Sequence, residues 1–188
     1  MTHIYPTGRS AQDVYEALYT ETTYGRHGRG EFFHGKPVLH HAKDCASFLN
    51  VGCGVPNYRL HLPKDINYAC CDISPTAVQH QLEMGNACVW ADLTLGLPWQ
   101  NVKYEALGCF DVLEHIQPDA VDFALSELRR VATKVLLLHI AYAPARWHGP
   151  DRELLHLTVQ PAEWWSERIK ANCGGEVIYE HEHFVVKL

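Results

Sequence analysis

From about residue 46 onward, short apolar runs alternate with helical stretches, and several of the runs end in a glycine or an acid. The runs are Ala46–Val51, Tyr68–Asp72, Ala87–Ala91, Ala106–Phe110 and Val135–Ala141, each too short and too uniformly apolar for an amphipathic helix. Between them lie helix signals. Ser74-Pro75 supplies a cap and a first-turn proline, with Gly85 just past the end. Pro118 opens a second helix whose Val121, Ala124, Leu125, Leu128 and Val131 share one face. A third runs from Pro161 to Asn172, stopped by Gly174-Gly175. Val177–Tyr179 and Phe184–Val186 are expected to close the sheet as an antiparallel pair. This alternation predicts an α/β fold: a Rossmann-like three-layer sandwich around a mostly parallel seven-stranded sheet whose last strand is antiparallel. Residues 46–188 would form that domain. Residues 1–45, with a capped helix over Ser10–Tyr19, would form an N-terminal helical and loop lid.

In such sheets a ligand sits outside the carboxyl ends of the strands, so the residues just after each strand are the ones to inspect. Asn50-Val51-Gly52-Cys53-Gly54 closes the first strand, and glycines there let a ligand approach the backbone. The helix expected after it would offer free N–H groups. Asp72 ends the second strand, where a carboxylate can accept from ribose hydroxyls. Both a dinucleotide and S-adenosylmethionine (SAM) suit this much. The dinucleotide pattern requires a third glycine, but Asn57 occupies its place and Pro56 intrudes.

Four segments together resemble class I SAM-dependent methyltransferases. They are Phe48–Gly54, Cys71-Asp72-Ile73-Ser74, Ala91-Asp92-Leu93 before Leu97-Pro98-Trp99, and Tyr104–Ile116 with its Asp111-Val112-Leu113-Glu114-His115. The resemblance implies that Gly52, Cys53 and Gly54 contact the methionine moiety, together with Asn50, which stands where the family usually has an acid. It implies that Asp72 binds the ribose, Ile73 stacks on adenine, Asp92 meets the adenine amine and Leu93 flanks it. Phe110 or Asp111 would lie near the methionine end. The implied activity is methyl transfer from SAM to a small-molecule acceptor, releasing S-adenosylhomocysteine. Two alternatives stand beside it: a SAM-binding protein without transferase activity and an NAD-dependent oxidoreductase.

His115 and His156 are the candidate general bases, since an unperturbed histidine titrates near neutral pH. Tyr24, Glu114, Tyr142 and Trp147 are candidate acceptor contacts, with the acceptor pocket drawn from residues 10–34 and 142–160. Tyr15 and Tyr19 join Tyr24 as lid aromatics. No metal site is expected: the Glu114-His115 pair lacks further ligands, and no CxxC spacing occurs. His40-His41 are read as unable to point the same way, His139 as a core residue, and His181 and His183 as solvated. The net charge is −6, and residues 51–120 carry three Lys/Arg against eight Asp/Glu. That balance argues against nucleic acid as a partner. No apolar stretch of about 18 residues is present to span a membrane. Seven cysteines in mostly apolar surroundings suggest reduced thiols in a cytoplasmic protein, and a monomer or homodimer is expected.

Overall fold

The computed structural model describes residues 3–22, 34–100, 103–180 and 183–188. Its centre is a seven-stranded sheet of β1 (Ser47–Val51), β2 (Asn67–Asp72), β3 (Ala87–Trp90), β4 (Tyr104–Phe110), β5 (Ala132–His139), β6 (Glu176–Glu180) and β7 (His183–Lys187). The spatial order is β3-β2-β1-β4-β5-β7-β6. β1 to β5 pair in parallel, and β7 runs antiparallel to both β5 and β6.

Strand alternation divides the core in two. Leu49, Val51, Leu107, Leu136 and Leu138 face one side. There they meet α3 (Val121–Val131) and α4 (Ala162–Cys173), and the five predicted stripe residues on α3 are all fully buried. Phe48, Cys70, Ala106, Val135 and Leu137 face the other side. That side is covered by α2 (Pro75–Glu83) and by two 3-10 helices, Lys36–Ala42 and Tyr58–His61. Ser74 caps α2 by accepting from the Ala77 N–H. Ser10 and Asp13 form a capping box on α1 (Ala11–Glu21).

The structure differs from the sequence reading in four places. No α-helix follows the glycine loop; the chain makes only the single 3-10 turn Tyr58–His61, because Pro56 and Pro63 bracket too few residues for more. α3 begins at Val121 rather than Pro118, after a turn. Among the described residues of 1–45, His3, Ile4 and α1 lie at the sheet's ligand edge, whereas Val38, Leu39 and Ala42 pack under the sheet. His40 and His41 sit on a 3-10 helix rather than a strand, so their rings come within 4.1 Å and both approach Glu180.

Candidate cofactor and acceptor site

A cavity of about 920 Å³ opens at the carboxyl ends of β1 to β4. Gly52, Asp72, Ile73, Asp92, Leu93, Asp111 and His115, all singled out from sequence, line it. Local chemistry holds each in place. Gly52 turns the chain with φ +68°, and a Cβ there would lie 2.2 Å from Val112 Cγ2. Gly52→Ala is therefore expected to cost about 2 kcal/mol through left-handed backbone strain and crowding, measured by urea denaturation.

Asp72 is buried beneath the loop. Its carboxylate accepts from the Gly54 N–H (2.8 Å) and the Ser74 N–H (2.9 Å). Burial still pushes its pKa up to about 6, against those two donors. Asp92 accepts from the Thr94 N–H (2.9 Å) and hydroxyl (2.7 Å), which fixes the turn after β3. The next loop is clamped from α3: Arg130 donates to the Leu97 and Trp99 carbonyls while Glu127 accepts from the Leu97 N–H.

Asp111 follows β4 with φ +57°, a strained backbone for a non-glycine residue. Its two oxygens accept from His34 Nδ1 (2.6 Å) and His139 Nδ1 (2.7 Å). Burial alone would raise its pKa, but the two imidazole donors hold it well below the usual carboxylate range. This clamp is not legible in sequence. His139 is placed by the register Phe110↔His139, and His34 arrives from 77 residues away.

α1 covers the mouth of the cavity. Tyr15 and Tyr19 line it, and the Tyr19 hydroxyl would stand 2.9 Å from a Cβ on Gly54. Glu16 fastens this helix to the start of α2, accepting from the Ser74 hydroxyl (2.6 Å), the Thr76 N–H (3.0 Å) and the Thr76 hydroxyl (2.5 Å). Tyr24 lies outside the described residues. Further wall comes from His3 and Ile4 at the N-terminal end and from Val112, Ile116, Gln117, Asp119 and Phe123 after β4. Residues 142–160, expected to build the acceptor side, contribute none of the lining, because Leu157 and Thr158 are tied to the Glu114 carbonyl behind it.

His115 reaches the cavity. Its Nδ1 lies 2.8 Å from the Leu155 carbonyl and 2.6 Å from the Tyr15 hydroxyl. The carbonyl can only accept, so Nδ1 carries the proton and Nε2 keeps its lone pair. Burial and then His156 lower its pKa to about 4, so the ring is neutral at neutral pH. His156 is in edge contact with His115 at 4.8 Å but donates to the Ala143 carbonyl and does not line the cavity.

Several other singled-out residues also sit behind the wall. Asn50 is buried with Nδ2 3.4 Å from the Tyr68 hydroxyl, and its Oδ1 has no partner among the described residues. Cys53 points down into the second core cluster. Gly54 serves Asp72 through its N–H. Phe110 stacks on Tyr58 at 5.1 Å, on the face away from the cavity. Tyr142 packs against the first core cluster, and Trp147 is exposed at the surface. Glu114 is fully buried, with Oε1 accepting from the Ala141 N–H (3.1 Å). His183, read as solvated, is buried, and its Nε2 meets the His34 carbonyl; His181 lies outside the described residues. Trp165 enters the core while Trp164 lies under the Arg168 guanidinium at 4.1 Å, away from the cavity.

Neither a family model nor a curated protein sequence matches the chain. Solved structures do match in shape. The sugar N-methyltransferase KedS8 from Streptoalloteichus sp ATCC 53650 superposes with a TM-score of 0.69 at 16% identity, covering 100% of this chain and 96% of that one. The DhpI-SAM-HEP complex gives 0.68 at 12% identity, covering 93% and 94%. Magnesium protoporphyrin IX methyltransferase (ChlM) from Synechocystis PCC 6803 with bound SAM gives 0.61 at 16% identity, covering 94% and 95%. The chain thus has the Rossmann-like α/β fold of these proteins over nearly its whole length.

Proposed function

We propose that this chain is a SAM-dependent methyltransferase that passes the methyl group of SAM to a small-molecule acceptor and releases S-adenosylhomocysteine. The observation that carries this reading is the convergence of Gly52, Asp72, Asp92 and Asp111 on one cavity at the carboxyl edge of the sheet. These residues fit the cofactor. A buried carboxylate stands where ribose hydroxyls would need an acceptor, and the Gly52 backbone has no Cβ to block the approach.

When bound, SAM supplies a methyl group on a positively charged sulfur, already activated for displacement. What the chain must add is alignment and exclusion of water. Asp72 would accept from the ribose, Ile73 and Leu93 would sandwich the adenine, and Asp92 would accept from its amine. Asn50 cannot supply the anionic charge that the methionine ammonium needs. Asp111, held ionised by His34 and His139, supplies it at that end instead. Cys53 and Gly54 act from beneath, by holding the loop and Asp72.

His115 is the candidate general base for a hydroxyl or amine acceptor, neutral and with Nε2 free to take a proton. Tyr15 shares its Nδ1 proton, and His156 packs on the ring. Residues 1–45 contribute the lid over the domain 46–188, with α1 as its working part. Among the described residues no Lys or Arg lines the cavity, which favours a neutral or cationic acceptor over a phosphorylated one or nucleic acid. The seven free thiols suit the cytoplasm, where we place the protein as a monomer or homodimer. Among the described residues no helix is long and apolar enough to cross a membrane.

Calorimetric titration with SAM, S-adenosylhomocysteine and NAD tests the reading. Micromolar binding of the first two and none of NAD is expected. Binding of NAD alone would replace it with the oxidoreductase reading.

A further inference from the structure

Three cysteines that are distant in sequence meet on the second face of the sheet, between the strands and α2. Cys53 comes from the glycine loop, Cys70 from β2 and Cys88 from β3. Their sulfurs all lie within 4.8 Å of one another, with Cys53 and Cys88 at 3.8 Å. All three residues are buried. Two of them are placed by register, since Cys70 and Cys88 are directly paired on parallel strands. The third is placed by the loop, where the Gly52 and Cys53 N–H groups donate to the Cys71 carbonyl at 2.9 and 3.0 Å.

We propose that Cys53, Cys70 and Cys88 form a trithiolate site for a thiophilic d10 cation, Zn(II) or Cu(I), that anchors the glycine loop to β2 and β3. The geometry carries this. The centre of an equilateral triangle lies at its side divided by √3, so the 3.8 Å Cys53–Cys88 side corresponds to a centre roughly 2.2 Å from each sulfur and the 4.8 Å upper limit to at most roughly 2.8 Å, a span compatible with the zinc–thiolate bond length of about 2.3 Å. Thiolate donors select these soft ions over magnesium, calcium or manganese.

The location supplies a reason for the site. The loop Gly52–Asn57 lacks the α-helix that would continue it. What holds it instead comes from neighbouring elements: Gln81 donates to the Gly54 and Pro56 carbonyls, and Asn86 donates to Asn57. A metal on Cys53 would complete that set of anchors from below. The two ions divide the remaining chemistry. Zn(II) leaves the site with net charge −1 and calls for a fourth donor, which water can supply at Cys88 near the sheet edge. Cu(I) is satisfied by three sulfurs but leaves −2 in a buried place. Either ion displaces up to three thiol protons to solvent, with no change of sulfur oxidation state.

The test is metal titration of the reduced, metal-free full chain under anaerobic conditions. Chromogenic chelators compete in separate Zn(II) and Cu(I) arms, and X-ray absorption counts the bound sulfurs. One equivalent of one ion held by three sulfurs is expected. Cys88→Ser and Cys70→Ser should each weaken binding by more than about 100-fold, since even loss of an outer-shell partner costs 10 to 100-fold. Cys173→Ser should leave it unchanged, because that thiol stands alone beside the Leu125 carbonyl. The wild-type titration needs no variant to fold. No retention of either ion against the chelator, or retention unaffected by Cys88→Ser in a folded variant, overturns the site. Since the readout is metal occupancy, the result is independent of whether the cavity binds SAM.

Discussion

Asp72→Asn is expected to weaken binding of S-adenosylhomocysteine about 100-fold, as read by calorimetry, while the chain still folds. The carboxylate is buried and already accepts from the Gly54 and Ser74 N–H groups. Each oxygen has a second lone pair for a ribose hydroxyl. Hydrogen bonds to a charged acceptor contribute about 1.5–3 kcal/mol each, and 1.4 kcal/mol is a factor of ten, so losing two gives roughly this figure. The amide also turns one oxygen into an NH2 group, which faces a backbone N–H it cannot satisfy. The thermal midpoint should therefore fall modestly, and comparing it with affinity separates the two effects. Unchanged affinity in a folded variant would remove Asp72 from the site.

Glu114→Gln should change how stability depends on pH. Glu114 is fully buried, and burial together with the nearby Asp111 charge pushes its pKa up to about 8. In the unfolded chain a glutamate titrates near 4.5. Between those values the folded protein keeps a proton that the unfolded chain releases, so stability from this group declines as pH rises from about 5 to 8. At 1.36 kcal/mol per pH unit, the decline is of order 3 kcal/mol across that window. The substituted amide cannot titrate. Urea denaturation at successive pH values should show the variant gaining on wild type by about that amount from pH 5 to pH 8. A constant difference between the two would show that Glu114 is ionised in the folded state.

The outline of the molecule was readable because its signals are local and redundant. The five runs that open into loops became β1 to β5, the stripe on Val121, Ala124, Leu125, Leu128 and Val131 became the buried face of α3, and Ser10 and Ser74 capped the helices expected of them. Candidate site residues next to strand ends, Gly52, Asp72, Asp92 and Asp111, reached the cavity because a parallel sheet aligns those ends. Residues expected at the acceptor side because they follow the fifth strand are placed differently. Tyr142, Trp147 and His156 follow β5, but backbone bonds from Leu157 and Thr158 to Glu114 carry that segment behind the wall.

The sequence by itself determined which segments become strands and helices, since period and capping act over a few residues. It also determined which acids end the strands. Tertiary structure alone decided what those acids face. His34 and His139 meet on Asp111 only after β4 and β5 pair and the chain before β1 folds under the sheet. Cys53, Cys70 and Cys88 meet only once β2 and β3 are in register below the loop. The cavity gains its cover when Glu16 finds Ser74 and Thr76, about 60 residues away. Contacts of that range depend on how elements pack, and no local pattern in the chain encodes them.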